Sequence, residues 1–263
     1  MKSYLFLFLS ACLGFAGTLS VLAQEADFNP LGRDLPIERM AKQLRIQVEW
    51  IELSHQDYTA LMAEKEINKP RVFKSSNDGP LRKKLEKMIA EDKAHVIDTA
   101  MVIARSGQRA KVESIQEVIY ATEYENEGSK KEASKTRSLP IATAYETRNV
   151  GTTLEVDPVL GADDHTVDLS LSPEIVYLTD WEDFGGYIEG ENEVIAKMPV
   201  FYTMKLTTQV TMIAGEYLLA GVQSPFDAEE MKMDRERKVM VFLKVDLLVV
   251  GLPLEKEKEK KKN

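Results

Sequence analysis

The side chains best suited to chemistry are three histidines, His55, His95 and His165, and an acidic run, "TDWEDFGGYIEGENE" (179–193). Zinc takes imidazole or thiolate ligands at helical or turn spacing. These histidines stand far apart in different settings, and the one cysteine, Cys12, lies near the N-terminus, so they read as surface or partly packed residues. Calcium takes oxygen ligands at fixed intervals around a loop. "GADDH" (161–165) lacks those intervals and has the composition of a polar hairpin corner. Paired carboxylates can do acid–base work. Here Asp180, Glu182, Asp183, Glu189, Glu191 and Glu193 are interleaved with Gly185, Gly186 and Gly190, the composition of an exposed, flexible loop. A hydrolase would need at least two of them held in a closed cleft. The chain has no Gly-x-Ser-x-Gly, no phosphate-binding glycine loop and no His-Glu-x-x-His. The expectation is therefore a protein that is not an enzyme, with no catalytic, cofactor-binding or metal site and no cofactor.

Whatever the chain does must come from its elements. At 263 residues it can hold one large or two small domains, and 44% apolar content is ample for a core. Residues 1–23, with Lys2, a long apolar stretch and Val21-Leu22-Ala23 at its end, have the form of a secretory signal peptide. Leu9-Ser10-Ala11-Cys12 also has the form of a lipoprotein signal, in which Cys12 would carry lipid. The short apolar run before Cys12 and the apolar residues after it favour cleavage after Ala23. A chain cut there has no cysteine and so no disulfide. Loss of Lys2 takes the formal net charge from −9 to −10, and an acidic surface argues against nucleic acid as a partner. No later stretch approaches the roughly 18 apolar residues of a membrane helix, so any crossing would use strands.

Residues 24–43 read as a loop entering a short helix, "PIERMAKQL". "LRIQVEWIEL" (44–53) alternates as a strand does, and "SHQDYTALMAEKEI" (54–67) has helical composition with Ser54 as N-cap. "NKPRVFKSSNDGP" (68–80) is rich in turn residues. "LRKKLEKMIAEDK" (81–93) sets Leu81, Leu85, Met88 and Ile89 on one helical face. "HVIDTAMVIA", a turn at 105–108 and "RAKVESIQEVIY" predict a hairpin. Residues 125–138 lack large apolar side chains and read as a solvated loop. From 140 onward strands are expected at 143–160, 165–178, about 200–213, 216–222 and 239–250, interrupted by 179–193 and 224–238. The tail "EKEKEKKKN" is charged and expected to fray. "TTLEVDPVLGADDHTVDLSLS" is two alternating runs joined by a polar corner, which suits a half-buried soluble sheet or a pore wall equally well.

The order of these pieces resembles the secretins, the bacterial outer-membrane pores of type II and type III secretion and of pilus assembly. The resemblance runs from about Leu44 to Val250 and rests on five segments in the family's order. These are "LRIQVEWIELS", "LRKKLEKMIAEDKAHVIDTAMVIARSGQRAKV", "RNVGTTLEVDPVLGADDHTVDLSLSPEI", "MPVFYTMKLTTQVTMIAGEYLLAGV" and "VMVFLKVDLLV". Val150, Gly151, Leu154, Val156, Pro158, Leu169, Gly215 and Gly221 occupy the positions that resemble the family motif. Ala220-Gly221 stands where many members have a doubled Gly, and Thr99-Ala100 where many have a Pro. Only about twenty residues separate Ala23 from Leu44, so the chain is identified as a shortened secretin-like protein.

The resemblance implies an α+β protein, a small N-terminal α/β unit followed by a mainly antiparallel β-rich secretin-like core. The expected divisions are a signal peptide (1–23), an N-terminal loop and helix (24–43), a secretin-like region (44–250, with a strand-helix-helix part at 44–94 and a β-rich core at 95–250) and a charged tail (251–263). A membrane strand needs roughly 9–11 residues with one apolar face, and 203–213 and 239–250 are long enough. About five to seven strands follow residue 95, fewer than the roughly eight of a small single-chain barrel, so a pore would pool strands from several subunits. The resemblance implies an exported homo-oligomer at the outer membrane or in the periplasm, part of a protein secretion or export channel, with secretion-system proteins as partners. It tilts the 153–172 hairpin toward the subunit wall. The alternative is a periplasmic binding or scaffold module with a secretin-derived fold and no pore.

Overall fold

The computed structural model describes residues 40–64, 77–126, 140–189, 192–227 and 232–250. The expected signal peptide, most of the 24–43 segment, residues 127–138 of the expected 125–138 loop and the charged tail lie outside the described residues. β1 (Ala41–Ser54) leads into α1 (His55–Glu64) and α2 (Gly79–Ala90). Then come β2 (Ala94–Ala104), β3 (Ala110–Asn126), β4 (Pro140–Leu160), β5 (Thr166–Glu189) and β6 (Asn192–Lys205). β7 (Thr208–Ile213), β8 (Tyr217–Gln223), the short pair β9 (Phe226–Asp227) and β10 (Lys232–Met233), and β11 (Arg237–Val250) complete the order.

Three layers result. Sheet A runs β2-β1-β11-β8, and sheet B runs β3-β4-β5-β6 with β7 also on β5. Period two explains the packing. In β1 the even positions Leu44, Ile46, Val48 and Trp50 meet Leu154 and Val156 of β4 and Leu169 and Leu171 of β5 in one core. The odd positions Ile51 and Leu53 turn to the other face and pack with Leu61, Leu81 and Leu85 from the helices. β11 does the same, with Val239, Val241, Leu243 and Val245 in the first core and Met240 and Phe242 in the second. The strand expected to suit a membrane wall is thus the centre of sheet A, apolar on both faces because both faces are covered.

The helices follow local chemistry. Ser54 caps α1, its Oγ accepting the Asp57 N–H at 3.0 Å while its hydroxyl donates to the Asp57 carboxylate at 2.7 Å. α2 starts two residues before Leu81, with Pro80 in its first turn where a missing N–H is harmless. Arg82 reaches down to Glu49 of β1 at 2.6 Å. Asp78 closes the outer edge of β8: its N–H donates to the Tyr217 carbonyl at 2.7 Å, and its carboxylate accepts the Leu219 N–H at 2.8 Å.

Several expectations need correction. β1 starts at Ala41, so the helical spacing of "PIERMAKQL" does not carry past Met40. β2 and β3 are not a hairpin: β2 pairs with β1, and β3 pairs with β4. Ile97, Ala100 and Val102 of β2 and Ala110 and Val112 of β3 face the same core from opposite sheets, which a two-stranded ladder would forbid. The crossing at 105–109 is tied by the Gly107 N–H to the Pro158 carbonyl at 2.7 Å. The strand expected at 200–213 breaks at Leu206 into β6 and β7, which follow each other along one edge of β5. Within the acidic run, 179–189 is not a loop but the outer half of β5, and Asn192 and Glu193 begin β6, while Gly190 and Glu191 lie outside the described residues. Finally, the 153–172 hairpin forms as expected, with Val156 opposite Leu171. Its apolar face is covered by sheet A, so within one subunit it is one layer of the sandwich.

Candidate functional site: two strand-pair arms

The β4–β5 ladder ends at Gly151 opposite Val176. Among the described residues, β4 beyond that point continues only with β3, as far as Asn126 opposite Pro140, and β5 only with β6, as far as Glu189 opposite Asn192. Two strand-pair arms therefore outgrow the sandwich. At 3.3 Å per residue, the free stretches 140–150 and 177–189 each extend about 35–45 Å.

Gly151 marks the root of the first arm. Its φ is +126°, a conformation L side chains rarely adopt. A Cβ there would stand 2.2 Å from the Ser114 carbonyl oxygen on β3. The strands can approach so closely only over hydrogen. In the second arm, bulges between Leu178 and Asp180 and between Asp183 and Gly186 re-aim β5.

The arms touch near their roots. The Tyr120 and Phe201 rings stand 5.9 Å apart, Arg148 lies 5.3 Å over the Phe201 ring, and its Nη2 donates to Thr203 at 3.3 Å. The Tyr120 hydroxyl donates to Glu146 at 3.2 Å. Desolvation, then the hydrogen bond to Glu146, raise this phenol above its ordinary value. On the same arms, large apolar side chains face water: Ile119 is 63% exposed, Tyr145 62% and Phe184 69%. Such exposure on extended, one-sided strands is what an interaction surface displays.

The family-like positions divide into groups. Val150 and Gly151 sit at the arm root, while Leu154, Val156, Pro158 and Leu169 lie on the buried face of the β4–β5 hairpin, with Pro158 opposite Leu169. Gly215, at φ +89°, turns the chain from β7 in sheet B to β8 in sheet A. Gly221 lies under Leu206, whose Cδ1 would stand 3.2 Å from a Cβ there. The arm residues Tyr120, Arg148, Phe201 and Thr203 were missed by sequence reasoning. The β-branched and aromatic content of "VESIQEVIYATEYE" and "PIATAYETRNV" was the available signal.

The residues first considered for chemistry do not converge. His55 begins α1, His95 lies 3.7 Å from Asp92, and His165 is in the β4–β5 turn. Among the described residues no group of three or more His, Cys, Asp or Glu could hold a metal ion. Asp183 makes a loose pair with Lys197 at 3.9 Å along an exposed ladder, not in a cleft. Asp163 is the keystone of the hairpin corner. Its carboxylate accepts the Thr166 hydroxyl and N–H and the His165 N–H, which lower its pKa to about 2.

Comparison with known proteins bears on this architecture. The Secretin family model, that of the bacterial type II and III secretion system protein, matches residues 87–245, more than half of the chain and all four strands of both arms. No curated protein matches the chain. Among solved structures it is similar to Aeromonas hydrophila ExeD, at 14% identity and TM-score 0.38, over 80% of this chain and 49% of that one. It is similar to the Salmonella SPI-1 type III secretion injectisome secretin InvG, at 12% identity and TM-score 0.39, over 82% and 67%. It is also similar to the V. cholerae type IV competence pilus secretin PilQ, at 11% identity and TM-score 0.32, over 79% and 57%. The chain spans about half the length of the first of these. With its match running from within α2 almost to the end of β11, the chain belongs to the secretin family.

Proposed function

We propose that this protein is an exported subunit of a protein secretion channel at the outer membrane, and that copies join through the two arms into a shared β-wall. One observation carries the reading. Among the described residues, 140–150 and 177–189 each pair on one side only, leaving rows of backbone donors and acceptors open along strands long enough to cross a bilayer. In lipid such groups must all be satisfied, and closure with neighbouring copies does so. Four arm strands cannot close a barrel alone, so pooling is required. Secretion-system proteins are the partners this reading implies.

The test is fractionation of source cells, followed by a non-denaturing gel of the membrane extract in mild detergent. A very large, heat-resistant species in the outer-membrane fraction is expected. A monomer or small oligomer confined to the soluble periplasm would refute the channel. That result would support a second reading, a periplasmic scaffold without a pore. It is favoured by the charges on both faces of the arms, such as Glu117 on one and Glu146 and Arg148 on the other, which interrupt any lipid-facing band.

A further inference from the structure

The face of sheet B that looks away from the core is open. In β4 and β5, Leu154, Val156, Leu169 and Leu171 point into the sandwich, so Glu155, Asp157, Asp168, Ser170 and Ser172 point out of it. The serines of β5 form a low floor between taller side chains, with Asp157 of β4 opposite Ser170 on one side and Gln209 of β7 opposite it on the other. The result is one trough made of two hollows, of about 470 Å³ and 310 Å³, that share Asp157, Ser170 and Gln209. Two accessible carboxylates in it hold no counter-charge among the described residues. Exposed Asp168 accepts the Thr211 hydroxyl at 2.5 Å, and partly exposed Asp157 has neither an ion pair nor a side-chain hydrogen bond among those residues. Glu155, one rung farther along, is shared with Arg109 at 3.0 Å.

The spacing of these acids is that of a strand. Val159 is opposite Asp168, Asp157 opposite Ser170 and Glu155 opposite Ser172, so the three carboxylates follow each other by two residues, about 6.6 Å, along β5. The segment "EKEKEK" (255–260) has the same repeat. Drawn out, it sets Lys256, Lys258 and Lys260 on one side at intervals of about 6.6 Å and its glutamates on the other. It also leaves the fold near the trough. β2 faces β3 at one side of the sandwich and β8 meets β7 at the other, so the sheet orders set β11 across the core from β5. Val250, at the end of β11, pairs with Ala41, and the adjacent Lys42 is ion-paired with Asp164 in the β4–β5 turn. The sandwich end, about 10 Å between sheets, and one layer of side chains separate Val250 from the foot of the trough. Residues 251–255 span up to about 17 Å, enough to round that end.

We propose that residues 255–260 lie extended along the trough of their own copy, Lys256 over Asp168, Lys258 over Asp157 and Lys260 toward Glu155. An exposed ion pair contributes little alone. Three in register on a short tether form at high effective concentration, so the segment binds as a unit. Salt screens such pairs, so it is held at low ionic strength and released at high. The docked segment covers the outer face of sheet B and not the arms, so the inference does not rest on channel formation.

Carbodiimide crosslinking of the full chain tests this, because it joins an amine to a carboxylate only where the two are in contact. Ordinary and heavy-nitrogen-labelled copies are mixed before assembly, and the joined peptides are identified by mass spectrometry. Crosslinks from Lys256, Lys258 and Lys260 to Asp168, Asp157 and Glu155 are expected within copies of one label. Their yield should fall about threefold between about 20 mM and about 500 mM salt. The double variant Asp157→Asn/Asp168→Asn, both on the surface, should lower the remaining crosslinks to Glu155 about threefold, and Glu86→Gln on α2 should leave them unchanged. Circular dichroism checks that each variant folds. Crosslinks spread evenly over acids outside the trough, crosslinks only between differently labelled copies, an unchanged Glu155 yield in the double variant, or no crosslink to the trough would each overturn the assignment.

Discussion

Gly151→Ala is the sharpest test of the arm geometry. The substitution puts a methyl group 2.2 Å from the Ser114 carbonyl oxygen and 3.1 Å from the Ile115 Cα. A carbon–oxygen contact is comfortable at about 3.3 Å, so β3 and β4 would have to part by about 1 Å. A φ of +126° adds a conformational penalty of about 1–3 kcal/mol for a residue with a side chain. Loosening the ladder at the Ile115 pair adds about 1 kcal/mol, for a total of about 2–4 kcal/mol. Gly215→Ala is the control: its φ is +89°, but nothing lies within 4 Å of the new methyl, so only the backbone penalty of about 1–2 kcal/mol applies. Equilibrium urea unfolding reads both, followed by Trp50 fluorescence in a Trp181→Phe background. Trp50 is 1% exposed in the sandwich, whereas Trp181 lies on an arm. Gly151→Ala should cost about 1.5 kcal/mol more than Gly215→Ala, the difference between the midpoints of the two ranges. A difference below about 0.5 kcal/mol would refute the close approach of β3 to Gly151.

Three further outcomes follow from the packing and the charges. Phe242→Ala empties a fully buried position between sheet A and the helices and should cost about 3–5 kcal/mol in urea unfolding, where a loss under about 1.5 kcal/mol would show that α1 and α2 do not cover this face. Arg82→Ala leaves Glu49, itself 7% exposed, without its 2.6 Å partner; a loss of about 2–4 kcal/mol is expected, and the double variant Arg82→Met/Glu49→Leu should recover most of it in the same assay. Asp163 has a folded pKa held below its unfolded value, so its contribution to the turn is present above the unfolded pKa of about 3.9 and is lost as pH falls toward about 2. An NMR titration of its carboxyl carbon should show a midpoint near 2, and a midpoint near 4 would show that the Thr166 and His165 bonds do not form in solution.

Much of the sandwich was legible in the residues themselves. Alternation in "LRIQVEWIEL", the leucine face of "LRKKLEKMIAEDK" and the polar corner at 161–165 each follow from local rules, and strand, helix and turn appear there. Period two says which residues share a face; it says nothing about what covers that face. β11 shows the consequence. Val239, Val241 and Leu243 alternate with Met240 and Phe242, a pattern that suits lipid on one side or protein on both, and only the helices packed on sheet A decide for protein. Likewise 95–104 and 109–120 have the form of a hairpin, but the core they share puts them in different sheets. The acidic, glycine-bearing stretch was the hardest case. Asp180 to Gly186 reads as loop by composition, yet it is held as strand by pairing with Val200 to Ile195 on β6. Backbone hydrogen bonds to a partner strand do not depend on which side chains the strand carries, so composition alone could not reveal that β5 runs on into an arm. Alternation, helical faces and turn chemistry were determined by sequence alone. Which faces meet, and where the strands outrun the core, was decided only by long-range pairing, because those contacts join residues that no local pattern connects.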